Sequence, residues 1–302
     1  MLIISYIIIL IVLIEFFLLL NIKFLQSKIQ WIITEKDEYP SFKKDKIKKF
    51  LTNTHDPLLG WNWKPNTKHD EKVNNKSNNI FFGKLGERKT TLLKNKSFKF
   101  ASFGDSFVFC RYVKNNQTWQ NYLSKLSKSN GLNFGVGNYG LDQIYLKYSS
   151  TNIPKNIKTV YIGFVPETLS RCLSSWKHYQ EFNNIYAFKP KFNLKNKKLV
   201  LKNNPIQSIK DFNKIEKLIN ELKKSEFFYE EKFLKYKLSF PYLISFIKNI
   251  KHNYNLIFFS FLKILNINQN KIYDFIINTN CKKNDYYFTK KNNTDLIYKL
   301  LL

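Results

Sequence analysis

Arginine is almost absent from this chain of 302 residues, in which it occurs only at Arg88, Arg111 and Arg171. The formal net charge of +28 therefore comes almost entirely from lysine. Proteins that read nucleic-acid bases favour arginine, whose forked guanidinium pairs with two acceptors of one base. The excess of Lys, Asn, Ile and Phe is typical of a genome-wide compositional drift. We therefore expect no specific nucleic-acid partner, and weak attraction to anionic lipid or polysaccharide stays open.

Cysteine is also scarce. Cys110, Cys172 and Cys281 are an odd number at wide spacing, without a Cys-x-x-Cys pair or a nearby histidine cluster. This pattern specifies neither a disulfide framework nor a zinc site, so we expect small apolar core residues and no metal.

Long apolar runs are limited to one, at the N-terminus. Leu2 to Leu20 contains a single ionisable side chain, Glu15, and is long enough to cross most of a ~30 Å hydrocarbon layer. A basic leader region and a small-residue cleavage site are both missing, so residues 1–24 are predicted to be a retained transmembrane helix. The later run from Leu238 to Leu265 is broken by Pro241 and several charged residues, so we do not expect it to form a second transmembrane helix.

The role of Glu15, and the side of the membrane on which the domain lies, both have alternative interpretations. One carboxylate in mid-membrane costs a few kcal/mol, which the surrounding apolar residues can offset, so a tolerated acid is favoured over a functional one. Lysines that follow the helix argue for a cytoplasmic domain, but lysine is dense throughout the chain. The side therefore stays open, with the extracytoplasmic face favoured for a single-pass protein.

The remaining chain divides into a polar lead-in, residues 25–95, and an α/β domain, residues 96–302. Trp61 and Trp63 are expected to pack the lead-in onto the domain.

Apolar patterning predicts strands at Ser97–Phe103 and Thr159–Ile162 and helices at Thr118–Leu126, Leu141–Tyr148 and Ile209–Leu222. Alternation of strands and helices at these intervals predicts a parallel sheet in a three-layer α/β/α arrangement. Residues 189–225 are interpreted as an insertion or a peripheral helix.

The first candidate for chemistry is Gly104-Asp105-Ser106, which follows an apolar strand and precedes a predicted helix. A serine at the carboxyl end of a parallel strand lies at the ligand-binding edge, where its own N–H can face the oxyanion that its attack creates. Gly104 would allow the tight turn, and Asp105 could cap the following helix. A lone Gly-Asp-Ser is structural more often than catalytic.

Two surrounding segments add to this pattern. Gly104 to Phe107 resembles the first sequence block of the SGNH/GDSL hydrolase superfamily, and Asn133 to Gln143 resembles its second, glycine-bearing block. The lead-in segments Asp56–Asn66 and Phe82–Arg88 are similar to those of membrane-anchored members. The resemblance covers roughly residues 56–175.

The resemblance implies a role for each residue of these blocks. Ser106 would attack an ester carbonyl, and its N–H would hold the oxyanion together with that of Gly137 or Asn138. The usual glycine of the family falls at Asn138, and a plain strand-to-helix turn would tolerate the same sequence. No cofactor is implied. The substrates would be acylated saccharides or similar esters at the cell envelope, beside the lipid bilayer as the other partner.

The third block departs from the family. The oxyanion-supporting asparagine is replaced by Val165, and Glu167 and Arg171 are spaced as an i,i+4 ion pair if Pro166 begins a helix. A structural ion pair is favoured for Arg171 over a substrate-orienting role.

The fourth block is missing, because none of the histidines His55, His69, His178 and His252 follows an aspartate by three residues. Serine needs a neighbouring base, so we expect little or no hydrolysis by this polypeptide alone. His178, in a predicted helix, and His252 are interpreted as surface or interface residues. The chain is either a truncated family member, which its abrupt end favours, or a degenerate, non-catalytic membrane-tethered binding protein with the same fold.

Overall fold

The computed structural model describes residues 2–28, 39–73, 76–94, 96–181, 184–268, 270–272 and 291–301. These residues form two compact units. The first unit draws on residues 1–41, 178–184 and 225–283, and the second on residues 42–177, 185–224 and 284–302.

The described helices and strands are numbered in chain order. The helices are α1 (Leu2–Lys28), α2 (Lys44–Asn53), α3 (Ser106–Phe109), α4 (Trp119–Ser127), α5 (Leu141–Ser150), α6 (Pro166–Arg171), α7 (Ile209–Phe212), α8 (Ile215–Lys223), α9 (Tyr242–Lys248), α10 (Ile250–Ile264) and α11 (Lys291–Leu301). The strands are β1 (His55–Asp56), β2 (Gly60–Trp61), β3 (Lys68–Val73), β4 (Lys76–Phe81), β5 (Phe98–Gly104), β6 (Asn130–Asn133), β7 (Thr159–Gly163), β8 (Lys191–Lys195) and β9 (Lys198–Lys202).

The second unit is built on a parallel three-stranded sheet in the order β6-β5-β7. Strand β5 lies in the centre, and its residues from Phe100 to Gly104 are buried because they are covered by neighbours on both sides. Strand β7 is less covered, with Tyr161 and Ile162 each 42% exposed, and among the described strands it pairs only with β5. The mixed α/β class with a parallel sheet is therefore confirmed.

The predicted positions of the central elements agree with the structure. Strands β5 and β7 and helices α4 and α5 each begin and end within a few residues of the patterns in the sequence. The short strand β6 lies directly before Phe134.

Residues 189–225 differ from the prediction of a peripheral helix alone. They contain the antiparallel hairpin β8–β9 in addition to α7 and α8. The hairpin turns at Asn196 and Lys197, which both have positive φ, at 49° and 59°. Two left-handed residues between strands are the geometry that the strand twist favours.

The first unit contains α1, which is long and apolar enough to span a membrane over Leu2–Leu25. Within this unit α1 packs against α9 and α10 through a cluster of buried apolar residues. The cluster consists of Ile22, Leu25, Leu238, Tyr242 and Leu256.

Candidate active site at the carboxyl edge of the sheet

Ser106 is the first residue of α3, directly after the central strand. Asp105 is the N-cap residue, and its carboxylate accepts a hydrogen bond of 2.9 Å from the N–H of Phe107. The helix is one turn long and ends at Cys110, which has a left-handed backbone at φ 60°. Ser106 is half-buried, while Asp105 is completely buried. Ser106 is therefore placed at the edge of the sheet and is partly exposed.

Two glycines form the base of this turn. Gly104 and Gly163 are paired in the β5–β7 ladder, and the side chain of Val108 lies over both. A Cβ atom on Gly104 would come within 2.5 Å of the Gly163 carbonyl oxygen and 2.3 Å of Val108 Cγ2. Neither position has room for a side chain, which explains why the strand ends in glycine here.

The loop after β6 reaches the same edge. The N–H of Val136 donates to the Gly104 carbonyl at 3.0 Å, and Gly135 lies directly against the backbone of α3. A Cβ atom on Gly135 would be 2.2 Å from the amide nitrogen of Phe109, whereas one on Gly137 would meet nothing within 4 Å. The structure therefore brings Ser106 and the Gly137 loop to one edge of the sheet, with Gly137 facing open space.

Asn138 adopts the left-handed conformation, with φ 66°. Glycine takes this conformation freely, and asparagine is among the few other residues that do so at small cost. The backbone at position 138 is thus of the kind that a glycine would serve.

Three backbone amides at this edge have no acceptor among the described residues. Within the described part of the chain, no hydrogen bond involves the backbone N–H of Ser106, Gly137 or Asn138, and none involves the Ser106 hydroxyl. The first N–H groups of a helix have no acceptor inside the helix and are available to an anionic ligand. These donors are of the type that an oxyanion requires.

Arg171 contacts the other side of Asp105. Its Nη1 lies 3.5 Å from Asp105 Oδ2 and donates to the Tyr139 carbonyl at 3.3 Å. Helix α6 begins at Pro166 as predicted, but the ion-pair partner of Arg171 is Asp105 rather than the predicted Glu167, because the end of α6 faces the buried carboxylate. Arg171 therefore holds together the turn before Ser106 and the loop after Asn138.

Val165 stands where the family has an asparagine. Its N–H donates to Thr168 Oγ1 at 3.1 Å, and that hydroxyl in turn donates to Asp105 Oδ2 at 3.3 Å. Asp105 thus accepts one hydrogen bond from α3 and one from α6 and pairs with Arg171, the last residue of α6.

Two residues of the lead-in support the site and were not singled out for this role from the sequence. The Trp61 indole donates to the Gly137 carbonyl at 3.0 Å. Arg88, only 1% exposed, donates to the carbonyls of Phe109, Cys110 and Val113 at 2.6–2.7 Å and so binds the end of α3. The rarity of arginine in this chain was the signal that could have indicated Arg88.

A buried ion pair lies behind the site. Lys189 Nζ contacts Asp142 Oδ2 at 2.5 Å and donates to the Ser174 and Pro190 carbonyls at 3.0 Å and 2.9 Å. Burial raises the pKa of Asp142, against the attraction of Lys189. All three ammonium protons are used, so this pair fixes α5 to the segment that follows α6.

The histidines are placed as follows. His178 is buried in a turn, which corrects both the predicted helix and the surface assignment, because aromatic side chains of the same unit cover it. His55 is also buried and contacts the Ile206 carbonyl, His69 packs on Trp63, and His252 stacks on Tyr236.

The described cysteines, Cys110 and Cys172, are free thiols whose pKa values are raised by burial, and Cys281 lies outside the described residues. In the described part of the chain, no group of three His, Cys, Asp or Glu side chains is placed to hold a metal ion.

Comparison of the sequence with protein-family models and with curated proteins gives no match. The assignment of a function therefore depends on the motifs and on the geometry of the edge at Ser106.

Proposed function

We propose that this chain is a membrane-anchored serine esterase or O-acyltransferase of the SGNH type, which acts on acylated saccharides or similar esters at the cell envelope. The three-layer α/β/α arrangement of that superfamily is part of the proposal. The observation that carries it is the position of the half-buried Ser106 at the carboxyl edge of the central strand, beside the open loop at Gly137.

The roles follow from this arrangement. Ser106 forms the acyl ester, its own N–H and those at Gly137 and Asn138 hold the oxyanion, and Asp105 and Arg171 keep the two loops in place. A saccharide hydroxyl in place of water in the second step gives transfer instead of hydrolysis.

A specific observation favours a second candidate, a non-catalytic membrane-tethered binding protein with the same fold. No residue in the described part of the chain contacts the Ser106 hydroxyl as a base. Hydrolases that lack their base keep only the part of the acceleration that comes from substrate binding and oxyanion stabilisation. Turnover by the isolated chain is therefore expected to be weak.

The first experiment compares the full chain in lipid nanodiscs with Ser106→Ala, using short p-nitrophenyl esters and a fluorophosphonate probe read by peptide mass spectrometry. We expect weak ester turnover that Ser106→Ala abolishes, and a probe adduct on Ser106. Equal rates in both proteins, no adduct, and tight binding of an acylated oligosaccharide would support the binding protein instead.

A second experiment uses two neighbouring glycines as a matched pair. Gly137→Ala adds a methyl group in open space, so the melting temperature should be unchanged, while ester turnover and probe labelling should fall several-fold as the methyl narrows the oxyanion site. Gly135→Ala overlaps the Phe109 backbone and should destabilise the fold by about 1–3 kcal/mol. Unchanged labelling of Gly137→Ala would place the reacting ester elsewhere.

A further inference from the structure

Glu15 lies deep in the apolar helix α1. It is 13 residues from Leu2 and 10 from Leu25, the ends of the candidate span, which corresponds to about 20 Å and about 15 Å along a helix. If α1 crosses a hydrocarbon layer of ~30 Å, the carboxyl group is located near its middle. A charged or polar group at this depth is costly unless the protein satisfies it.

The partners of Glu15 are two backbone amides of the same unit. Its Oε2 accepts from the N–H of Tyr242 at 2.7 Å and its Oε1 from the N–H of Leu243 at 2.8 Å. These are the first two residues of α9, whose N–H groups have no acceptor within the helix. The preceding residue, Pro241, has no N–H to satisfy.

The other end of α9 is satisfied in the same way. The Asn253 side chain, which is completely buried in α10, donates to the carbonyls of Ser245 and Phe246 at 3.3 Å and 3.0 Å. Both ends of this short helix are thus capped by side chains of the helices that pack on it. Inside a bilayer no water is present to satisfy a helix end, so the protein must supply the partners itself.

Helices α9 and α10, together with Phe240 just before α9, expose several large apolar side chains. Phe240, Ile244, Ile247, Ile250, Phe258 and Phe261 are 38–69% exposed. The side chains of α1 from Leu2 to Leu20 are also largely apolar and exposed. Exposed apolar surface of this extent in one small unit is typical of contact with a membrane.

Neither α9 nor α10 is long enough by itself to form a complete span. Helix α10 has 15 residues, about 22 Å, and α9 has seven. Lys248 and Lys251 are exposed at the junction of the two helices, and their long side chains can reach the lipid headgroups while their stems stay in the apolar layer.

We infer that α9 and α10 form a membrane-embedded, non-spanning helix pair whose exposed surface contacts lipid hydrocarbon. We also infer that Glu15 is the intramembrane acceptor that docks this pair on α1. The acid is retained at this depth because it satisfies two backbone amides at the start of α9. The pair widens the attachment of the chain to the bilayer from one helix to three.

Lipid contact is tested with the full chain in liposomes of phosphatidylcholine or its brominated form, which quenches tryptophan. The variants Ile247→Trp and Phe258→Trp report on α9 and α10, Phe17→Trp in α1 is the positive control, and the signal of the five native tryptophans is subtracted. We expect bromine to quench each added tryptophan at least two-fold. If position 247 or 258 stays unquenched while position 17 is quenched, that helix is covered by protein or water and the inference is overturned.

The role of Glu15 is tested by Glu15→Leu in the two reporter proteins. Loss of the acceptor should lower quenching at position 247 and increase trypsin cleavage at Lys248 and Lys251 several-fold, and Glu15→Gln, which keeps one acceptor, should be intermediate. Asn21→Leu is the matched control, because Asn21 donates only to Phe17 of its own helix. If Glu15→Leu behaves like Asn21→Leu, Glu15 does not dock the pair. Quenching at Phe17→Trp in the Glu15→Leu background verifies that α1 is still inserted.

Discussion

Gly104 and Gly163 differ in whether a backbone oxygen atom blocks the addition of a side chain before Ser106. The Cβ of Gly163→Ala would meet only Val108, with Cγ2 at 2.4 Å, whereas the Cβ of Gly104→Ala also meets the backbone oxygen of Gly163. A side chain can be shortened by a second substitution, but a backbone oxygen in the central ladder cannot be removed.

A double-mutant cycle should separate the two positions. Each glycine-to-alanine variant is expected to lose about 1–3 kcal/mol of unfolding free energy from overpacking. Adding Val108→Ala should remove the loss at Gly163, so that the double variant is no less stable than Val108→Ala alone, but should not do so at Gly104. Thermal unfolding followed by tryptophan fluorescence measures both cycles. Equal rescue at the two positions would mean that the Gly163 carbonyl is not the obstacle.

At the scale of elements, α3 is too short to be stable by itself and depends on what binds its two ends. Asp105 caps its start, and Arg88 donates to the carbonyls at its end. A guanidinium fork reaches three carbonyls at once, which the single ammonium of lysine does not reproduce.

Arg88→Lys should therefore be destabilising although the charge is kept. We expect a loss of about 2 kcal/mol or more, because buried carbonyls lose charge-assisted hydrogen bonds. The melting temperature of the full chain in detergent measures the effect, with Lys89→Arg on the exposed neighbouring residue as control. A melting temperature equal to that of the control would show that these bonds do not support α3.

Patterning along the chain predicted the type of the central elements better than their burial. Apolar side chains of β5 and α5, such as Phe103 and Ile144, are buried as expected, whereas Leu126 of α4 and Tyr161 and Ile162 of β7 are exposed. The hairpin β8–β9 was missed because lysine and asparagine dominate its composition, although Asn196 and Lys197 between alternating residues were a usable signal. The buried position of His178 is decided by long-range packing that no local pattern contains.

The candidate site was predictable in part. The placement of Ser106 after the central strand followed from the Gly-Asp-Ser motif, and the structure brings the loop at Gly137 beside it. The partner of Arg171 was wrong, because spacing along one helix indicates only neighbours on that helix. Asp105 is 66 residues away in the chain from the partner that the structure gives it, and such pairs are set by the fold as a whole.

At the scale of the whole molecule, the lead-in from Phe42 onward is a structural part of the second unit. Lys147 of α5 donates to Asn62 Oδ1 at 2.9 Å and is 4% exposed. Burial lowers the pKa of Lys147 to about 8, although the carboxylates of Asp56 and Glu87 in the lead-in oppose the shift. The charged form of Lys147 inside this unit therefore lowers the free energy of unfolding.

This predicts a specific pH dependence of stability. Between about pH 8 and 10.5 the unfolded chain keeps a proton on Lys147 that the folded chain has lost, so the free energy of unfolding should rise with pH in this window. The largest contribution is about 3 kcal/mol, from the difference between the two pKa values. Urea unfolding at pH 7.5, 9 and 10.5 should show a smaller rise for Lys147→Met than for the exposed control Lys125→Met. Identical slopes in the two variants would contradict the shift.

The partly uncovered strand β7 has a practical consequence for handling the protein. Among the described strands β7 pairs only with β5, and Tyr161 and Ile162 add exposed apolar surface at the same place. An edge of this kind can pair with the same edge of a second molecule. We therefore expect a purified preparation to become less monodisperse as its concentration rises.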